Sequence, residues 1–459
     1  MKLKSYPDAY RYLCKFTDYE RMTKVHYGQT TYNLKRMKSL LDALGNPQDN
    51  LRCIHITGTK GKGSTAMMIA QILSSAGLPC RSPGGTKAGY RVGLYTSPHL
   101  VDLRERIQVW HNGKETVISK NDFTILMNYF VSKTKRSTLY APRSSRDAPP
   151  TFFETMTAMA FLYFTREGVD FAVIEVGMGG RLDATNLITP IASVITRIDL
   201  DHTNKLGNTI KKIASEKAGI IKKGVPVITF RQNTSADKVI SQKASAQNAP
   251  LHIIKIAPDK INLPGRHQQE NYSLACGVVK LLNSRGYTDI NTAGINKALK
   301  GLALPARLEF VSHKPDVILD SAHNTVSIKT TVETVKQRNY RKIIVILALS
   351  KDKDVEKILD IIIPEVDIAI LTKTPNPRLM EPNEFLKYLP SRMDKTILLE
   401  PDYINALNIA RRLATSDDLI LITGSFYLAG EIKKLLNTNR NHRFHRFHRP
   451  ACADASAGR

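Results

Sequence analysis

Short apolar runs alternate with helix-like stretches along most of this chain of 459 residues. Turn residues bound each run, and the stretch that follows places apolar residues at the spacing of a helix. The first five runs are residues 51–57, 91–96, 171–176, 191–198 and 226–229. This alternation predicts an α/β fold built on a doubly wound, mainly parallel sheet.

A second series of alternations begins after residues 304–307, which read Leu-Pro-Ala-Arg. The strands predicted in it are residues 317–319, 343–348, 368–372, 396–399 and 419–423. We therefore expect an N-terminal domain over residues 1–303 and a second, smaller α/β domain over residues 304–436. Nucleotide chemistry would then lie in the cleft between the two domains, where ligand sites commonly occur.

Three segments depart from this pattern. Residues 8–45 carry an apolar stripe at helical spacing and are predicted to be helical. Residues 78–87 lie between two Ala-Gly pairs and are predicted to be an inserted surface loop. Residues 437–459 are rich in His and Arg and lack a periodic apolar face, which predicts a disordered basic tail.

Composition narrows the class of protein. The 67 Lys and Arg residues exceed the 41 Asp and Glu residues and give a net charge of +26, which favours anionic ligands. This excess is spread along the chain without regularly spaced aromatic residues, so specific nucleic-acid binding is not expected. No apolar run approaches the roughly 20 residues that span a bilayer, and the N-terminus lacks a signal-peptide core, so we expect a cytoplasmic protein. Five scattered cysteines argue against a disulfide framework or a zinc site.

The most informative motif is the glycine-rich segment at residues 56–65, Ile-Thr-Gly-Thr-Lys-Gly-Lys-Gly-Ser-Thr. It follows a predicted strand and opens a predicted helix, so several backbone N–H groups point at one place beside a lysine. The pattern Gly58-x-x-Gly61-Lys62-Gly63-Ser64 is shorter than the standard nucleotide loop and has an extra glycine after the lysine. It predicts a phosphate-binding loop. The alternative is a glycine-rich strand-to-helix turn without a ligand.

One acidic residue lies near the carboxyl end of a predicted buried strand. Glu175 stands in the sequence Phe171-Ala-Val-Ile-Glu-Val-Gly-Met-Gly-Gly-Arg181, before glycines that allow a sharp turn. Ligands of open α/β sheets collect at the carboxyl ends of the strands. Glu175 is therefore predicted to bind a magnesium ion. A structural carboxylate paired with an arginine is the alternative.

A lysine falls on the apolar face of a predicted helix that begins near Thr209. Lys217 is spaced three or four residues from the apolar residues Ile213, Ala214 and Ile221. The first interpretation is structural: its stem lies along the core while the ammonium reaches solvent or an acid. The second is functional: the amine has reacted with carbon dioxide, and the carbamate is an oxygen ligand for magnesium. The residues alone leave both open.

These motifs occur in order with several others and together resemble one family. The additional segments are Tyr95-Thr-Ser-Pro-His-Leu100, Arg104-Glu-Arg-Ile107, Thr151-Phe-Phe-Glu-Thr-Met-Thr157, Leu182-Asp-Ala-Thr-Asn186, Leu200-Asp-His-Thr203, Ser215-Glu-Lys-Ala-Gly-Ile-Ile221, Gly265-Arg-His-Gln268 with Asn271, Pro305-Ala-Arg-Leu308 and Leu319-Asp-Ser-Ala-His-Asn324. Over residues 8–436 the chain resembles folylpolyglutamate synthases and dihydrofolate synthases of the Mur ligase superfamily. The resemblance implies a P-loop ATPase domain followed by a smaller, Rossmann-like glutamate ligase domain.

The resemblance also implies an activity. It indicates an ATP-dependent amide ligase that adds L-glutamate to dihydropteroate, to tetrahydrofolate polyglutamates, or to both, through an acyl phosphate. ATP and Mg²⁺ are the implied cofactors, and a role for K⁺ is left open. The implied partners are small molecules, with neither a membrane nor a specific nucleic acid, and a monomer is expected. The Leu182–Asn186 segment resembles the version found in bifunctional bacterial enzymes.

Site residues follow from the same resemblance, position by position. Catalytic roles are implied for Lys62, Lys217, Arg307 and His323, and substrate contacts for Phe153, Glu154, Asp183 and Ser425. Nucleotide binding is implied for Gly58, Thr59, Gly61, Lys62, Gly63, Ser64, Thr65, Asn271, Arg307 and Asp320. Metal binding is implied for Ser64, Ser97, Glu175, His202 and carbamylated Lys217. Alternatives stay open for Asp183 as a turn cap, Arg307 as an interdomain ion-pair partner and His323 as a helix-start residue.

Four features depart from the family pattern. Lys60 stands where asparagine is common, Arg197 and Asp199 replace small or neutral residues, and residues 78–87 add length. They leave the substrate preference open. Two rival functions remain: a Mur ligase acting on a UDP-linked sugar, disfavoured by the missing UDP domain, and a basic nucleic-acid-binding NTPase, disfavoured by the spread charge.

Overall fold

The computed structural model describes residues 2–20, 22, 28, 31–75, 89–134, 149–201, 203–257, 263–389 and 394–440. The predicted insertion at residues 78–87, the predicted metal ligand His202 and the tail beyond residue 440 lie outside these ranges. The chain divides into two compact units, an N-terminal unit Met1–Leu304 and a C-terminal unit Pro305–Arg459.

The N-terminal unit is built on a mainly parallel sheet of eight strands. The strands are β1 Cys53–Thr57, β2 Val92–Tyr95, β3 Ile107–His111, β4 Lys114–Val117, β5 Phe171–Glu175, β6 Ala192–Ile195, β7 Val227–Phe230 and β8 Leu251–Ile254. Their order across the sheet is β4-β3-β2-β5-β1-β6-β7-β8. The antiparallel pairings among these strands are the two made by β3, with β2 and with β4.

The central strands β1 and β5 are buried at every position, as is typical of parallel strands with helices on both faces of the sheet. In the register of β1 with β5, Ile56 lies opposite Glu175. In the register of β1 with β6, Thr57 lies opposite Ile195. The loops that follow β1, β5 and β6 therefore leave the sheet side by side at its carboxyl edge, where the predicted ATP site residues lie.

Helices cover both faces of this sheet over three apolar clusters. They are α1 Tyr6–Leu13, α2 Leu34–Ala43, α3 Lys62–Ser75, α4 Lys120–Thr134, α5 Phe152–Arg166, α6 Thr203–Leu206, α7 Ile210–Ala218, α8 Thr234–Ala246, α9 Arg266–Ser284 and α10 Thr292–Leu299. The prediction of one helical region over residues 8–45 is wrong. Among the described residues between α1 and α2 (14–20, 22, 28 and 31–33) none is helical. The Asn33 side chain caps α2 by accepting from Lys35 N at 3.0 Å.

The edge hairpin of β3 and β4 was not predicted. Asn112 and Gly113 join the two strands with φ values of 52° and 70°. Two successive positive φ values are typical of the two-residue hairpin turn that Asn-Gly favours. The Asn-Gly dipeptide therefore indicates this hairpin in the sequence itself.

The C-terminal unit is built on a six-stranded sheet. Its strands are β9 Glu309–Ser312, β10 Asp316–Leu319, β11 Ile343–Leu347, β12 Ile368–Lys373, β13 Thr396–Asp402 and β14 Leu419–Thr423, in the order β13-β12-β11-β14-β10-β9. Its helices are α11 Thr325–Lys336, α12 Val355–Ile362, α13 Tyr403–Leu413 and α14 Phe426–Arg440. Only β9 is antiparallel to its neighbour among these strands. The predicted fold class, two mainly parallel α/β units of unequal size, is confirmed.

The last helix continues beyond the predicted end of the C-terminal domain. α14 runs to Arg440, whereas the tail was predicted to begin at residue 437. Thr438 belongs to this helix, and its hydroxyl donates to Lys434 O at 3.0 Å. Within the described ranges, no helix combines the length and the apolar character that a membrane crossing requires.

Candidate active site

The predicted phosphate loop leaves β1 at Thr57 and enters α3 at Lys62. Thr59 N and Lys60 N donate to Arg197 O at 2.7 and 3.3 Å, so these two N–H groups hold the loop to the chain after β6. The donors that can face a phosphate belong to the first turn of α3, because the first N–H groups of a helix have no intrahelical acceptor. Fewer N–H groups of the predicted loop are therefore available to a phosphate than the whole segment contains.

Gly61 lies against the side chain of Asn271 in α9. Its φ is +84°, and a Cβ built on it would lie 2.1 Å from Asn271 Oδ1. Thr65 Oγ1 donates to the same oxygen at 3.4 Å, and Asn271 Nδ2 donates to Gln268 Oε1 at 2.8 Å. A glycine is therefore required here both for the backbone conformation and for the close approach of α9. Three of the predicted nucleotide residues are brought together.

Two lysines donate to one carbonyl oxygen at the start of the loop. Lys62 Nζ lies 3.2 Å and Lys217 Nζ 2.7 Å from Gly58 O. Lys217 is only 4% exposed on α7, so the prediction that it faces the core is correct. Burial, and next the charge of Lys62, lower the pKa of Lys217 well below its ordinary value. The neutral amine is favoured at this position.

Glu175 ends β5 and points its carboxylate toward two segments that hold predicted metal ligands. Glu175 Oε2 accepts from Ser97 N at 3.1 Å, and a Cβ on Gly63 would lie 3.5 Å from the same oxygen. Ser64, next to Gly63 in α3, is buried. Carboxylate and hydroxyl oxygens are the hard donors that Mg²⁺ prefers, completed by water and phosphate. These residues therefore fit a magnesium site, although within the described ranges no cluster of three His, Cys, Asp or Glu side chains that could hold a metal occurs.

Two of the predicted substrate residues lie beside the loop that follows Glu175. The Phe153 ring packs so closely on Gly177 that a Cβ there would lie 2.5 Å from Cζ of the ring. Asp183 accepts from Met178 N at 3.0 Å in the same loop. It also accepts from Thr185 N at 3.0 Å and Thr185 Oγ1 at 2.6 Å. Asp183 thus caps a turn, as the structural alternative stated, and burial raises its pKa.

Glu154, the third predicted substrate residue, is held by an arginine that the sequence did not indicate. Arg36 Nε lies 2.8 Å from Glu154 Oε2, and Arg36 Nη2 lies 2.7 Å from Glu154 Oε1. Thr151 N donates to Glu154 at 2.7 Å and completes a capping box at the start of α5. Both side chains of the ion pair are at most 6% exposed. The geometry gives Glu154 a structural task, which is to fix the helix turn that carries Phe153.

In the C-terminal unit, the predicted residues follow the neighbouring strands β10 and β14. Asp320 accepts from Leu308 N at 3.0 Å and from Thr331 Oγ1 at 2.8 Å. His323 Nδ1 lies 2.8 Å from Ser321 O, which assigns the proton to Nδ1 because a carbonyl oxygen only accepts.

The second group of predicted residues in this unit lies at the start of α14. Ser425 Oγ accepts from Tyr427 N at 3.1 Å, and Ser425 is 2% exposed. The Arg307 guanidinium lies over the Phe426 ring, 5.7 Å from its centroid. Gly424 N donates to Ala322 O at 2.9 Å and so connects the two strand ends. Asp320, His323, Arg307 and Ser425 thus gather at one edge of the C-terminal sheet.

Comparison with known proteins decides the family. Residues 56–226 match the Mur ligase middle domain, and residues 306–426 match the glutamate ligase domain of Mur ligases. The dihydrofolate synthase/folylpolyglutamate synthase of Bacillus subtilis is 34% identical, with 92% of this chain and 100% of the relative covered. The chain belongs to the folylpolyglutamate and dihydrofolate synthase family of Mur ligases.

Solved structures of this family share the fold over nearly the full length. The folylpolyglutamate synthase of Mycobacterium tuberculosis complexed with ADP is 26% identical, with a TM-score of 0.79 and with 94% of this chain and 98% of that chain covered. A folylpolyglutamate synthase complexed with AMPPCP and folate is 30% identical, with a TM-score of 0.76 and coverage of 94% and 99%. The resemblance inferred from the ordered motifs is confirmed.

In this member of the family, a second buried arginine, Arg106, belongs to the segment Arg104–Ile107 that carries the resemblance, although no role was predicted for it. Arg106 is 1% exposed and donates to both carboxylate oxygens of Glu20, at 2.9 and 2.6 Å. Its Nε donates to His99 Nδ1 at 2.9 Å, and its guanidinium lies over the Phe152 ring. Arg106 therefore orders the segment between Ser97 and β3.

A second buried residue of this protein that the sequence patterns did not indicate is His55, on β1. His55 Nε2 lies 2.8 Å from Thr185 Oγ1, whose own proton goes to Asp183. His55 must then donate through Nε2, and its Nδ1 has no hydrogen-bond partner among the described residues. Burial, and next the charge of Lys222, lower the pKa of His55 from 6.5 to about 3. The histidine is neutral in the folded protein at every pH above this value.

This shift predicts a specific acid sensitivity of the folded state. Between pH 6.5 and about 3 the unfolded chain binds a proton at His55 that the folded chain does not bind, so folding loses stability as the pH falls. Each pH unit well inside this window costs about 1.4 kcal/mol from this group. His55→Gln should flatten the decline of the unfolding free energy between pH 6 and pH 4, measured by urea titration. The exposed His252→Gln is the matched control, and equal slopes for wild type and His55→Gln would contradict the assignment.

Proposed function

We propose that this protein is an ATP-dependent ligase that joins the α-amine of L-glutamate to the carboxylate of a pteroate or folate substrate. The observation that carries this proposal is the convergence of Lys62, Lys217 and Glu175 on the turn between β1 and α3. That geometry suits phosphoryl transfer, which requires mainly positioning and charge neutralisation. The full-length similarity to a Bacillus subtilis relative named for both synthase activities supports the choice of substrate.

The reaction needs an activated carboxylate. A substrate carboxylate oxygen attacks the γ-phosphorus of ATP, the bond to the β-phosphate oxygen breaks, and ADP leaves. The α-amine of glutamate then attacks the acyl carbon, loses a proton, and displaces phosphate as the amide forms. The chain has to bring three anions together and to stabilise the charge that develops on the transferred phosphoryl group.

Each of the predicted ATP and metal site residues of the N-terminal unit has a role in this scheme. The first turn of α3, with Ser64, would bind the phosphates through N–H groups, and Lys62 would neutralise the β- and γ-phosphates. Ser97, Glu175, His202 and the carbamate on Lys217 would hold Mg²⁺ directly or through water. When bound, Mg²⁺ screens the charges of the phosphates and orients the γ-phosphoryl group. Asn271 would orient the nucleotide beside Gly61.

We further propose that Lys217 is carbamylated. Its buried, neutral amine has the free electron pair that attacks carbon dioxide, so that an N–C bond forms and one proton leaves. The product is an anionic carbamate in place of an amine. This change supplies oxygen ligands next to Lys62 and explains why a lysine occupies a site where a charged ammonium is disfavoured by burial.

The substrate side is assigned on the same basis. Phe153 would contact the pterin or aminobenzoyl ring, and Asp183 would contact the pterin as well as cap its own turn. Glu154 would act through its ion pair with Arg36. In the C-terminal unit, Asp320 and Arg307 would contact the nucleotide, and His323 and Ser425 the incoming glutamate. Activity with both dihydropteroate and tetrahydrofolate, in a cytoplasmic monomer, completes the proposal.

The decisive experiment measures phosphate release from ATP with Mg²⁺ and L-glutamate, in the presence of dihydropteroate, tetrahydrofolate or neither. We expect release to depend on glutamate and on a pterin substrate, with mass spectrometry showing one added glutamate per turnover. Turnover with only one of the two pterins would remove bifunctionality. Absence of glutamate-dependent turnover with both would overturn the proposed function.

A further inference from the structure

Arg197 connects the phosphate loop to helix α9 through two different parts of the residue. Its carbonyl oxygen accepts from Thr59 N and Lys60 N in the loop. Its side chain leads to α9, where Nε donates to Glu270 Oε2 at 2.8 Å and Nη2 contacts Glu270 Oε1. The two parallel contacts form the bidentate geometry that only an arginine supplies to a carboxylate.

The guanidinium of Arg197 is further fixed by an aromatic ring. It lies over Phe230, at the end of β7, 5.1 Å from the ring centroid. Such stacking restricts a planar cation and leaves its edge for hydrogen bonds. Arg197 is 38% exposed at its side chain and Glu270 16%. An ion pair with this exposure contributes little to the overall stability of a protein. A local role in geometry is therefore a better explanation than a stabilising one.

Glu270 directly precedes Asn271, the residue that packs on Gly61. Asn271 is 4% exposed and meets Gly61 so closely that no side chain could be inserted between them. A displacement of this turn of α9 would therefore shift Asn271 against the loop. The pair Arg197–Glu270 ties that turn to the segment that also holds Thr59 and Lys60.

We propose that the ion pair of Arg197 and Glu270 is a positioning device for ATP, which fixes α9 so that Asn271 and the phosphate loop keep one relative geometry. This inference rests on the proposed function, since ATP is the ligand that the loop would bind. Neither residue contacts the reacting atoms. Both act through Asn271 and the loop.

The proposal predicts a selective loss of ATP affinity. In Arg197→Ala and in Glu270→Ala, the KM for ATP should rise about 5- to 20-fold, while kcat and the KM for glutamate change less than about 2-fold, because uniform binding is lost and chemistry is retained. The double variant should be no worse than either single variant, since the two residues act as one unit. Arg197→Lys should recover only part of the loss, because an ammonium cannot make the bidentate contact.

A charge swap and a matched control make the test specific. Arg197→Glu combined with Glu270→Arg should restore the KM for ATP to within about 3-fold of wild type if the pair itself is responsible. The control is Arg91→Ala, which removes the ion pair with Glu167 on the same unit, with similar exposures of 40% and 21%. An unchanged KM for ATP in the single variants, or an equal rise in Arg91→Ala, would overturn the proposal.

Direct titration with ATP separates this inference from the proposed ligase activity. The dissociation constant for ATP can be measured without any pterin or glutamate, and it should rise by the same factor as the KM. If wild type binds ATP without catalysing glutamate addition, the ligase assignment fails while the titration still decides the positioning role. A dissociation constant unaffected by Arg197→Ala and Glu270→Ala would contradict that role even in an active ligase.

Discussion

Lys217→Ala is expected to lower glutamate-dependent turnover roughly 1000-fold, because it removes a charged oxygen ligand at the centre of phosphoryl transfer. The fold should persist, since alanine suits a helix and the variant relieves the burial of an amine that is 4% exposed. The measurement is phosphate release from ATP with glutamate and dihydropteroate, together with the thermal midpoint of unfolding. Lys211→Ala, an exposed lysine on the same helix, should behave as wild type.

The carbamate adds a second, chemical test to this variant. Short carboxylic acids such as acetate or propionate should restore part of the activity of Lys217→Ala, because they can supply carboxylate oxygens in the place of the carbamate. Wild-type protein equilibrated with ¹³C-labelled carbon dioxide should show a carbamate resonance that is missing in Lys217→Ala. A fully active Lys217→Ala would contradict the carbamate hypothesis, and so would the same resonance in the variant.

Glu175→Gln should reduce turnover roughly 100- to 1000-fold and raise the Mg²⁺ concentration needed for half-maximal activity. Glutamine keeps an oxygen that can accept from Ser97 N, so the local backbone contact survives while the negative charge is lost. The effect is therefore expected on metal binding and not on folding. Phosphate release is measured over a Mg²⁺ titration.

The control for this substitution is Glu115→Gln, an exposed carboxylate on the edge strand β4. It makes the same chemical change outside the proposed site and should leave the Mg²⁺ titration unaltered. A wild-type Mg²⁺ dependence in Glu175→Gln would show that Glu175 is a structural carboxylate, the alternative that the sequence left open.

Much of the fold was predictable because most strands of both sheets are short apolar runs that can be recognised in the sequence. Short, mainly apolar runs such as those ending at Thr57 and Glu175 predicted the central parallel strands, and the structure places them side by side. The break between α1 and α2 was not predictable from periodicity, because apolar residues recur at helical spacing in both helices. They are Ala9, Tyr12 and Leu13 in α1 and Met37, Leu40 and Leu41 in α2. The hairpin at Asn112 and Gly113 was predictable from the Asn-Gly dipeptide, but it lies outside the alternation of strands and helices that predicted the parallel sheet.

The residues of the candidate site also differ in whether a local sequence pattern indicates their position. The positions in the fold of the segment Gly58–Ser64, of Glu175 and of Lys217 could be predicted, because each lies at a strand end or on a helix face that periodicity defines. Arg36 pairs with a residue 118 positions away, and His55 contacts one 130 positions away. A single sequence contains no local signal that joins such partners. The contacts of these buried polar side chains were therefore found only in the three-dimensional structure.

The shared acceptor of Lys62 and Lys217 makes carbon dioxide and ATP mutual effectors under the proposed chemistry. Carbamylation would turn the neutral amine beside the Lys62 ammonium into an anion that attracts it, and bound phosphates would compete for the same ammonium. Thermodynamic linkage requires that carbon dioxide change the affinity for ATP by the factor with which ATP changes the extent of carbamylation. Because both lysines contact Gly58 O, dissolved carbon dioxide would thus influence the rate of glutamate addition under the proposed chemistry.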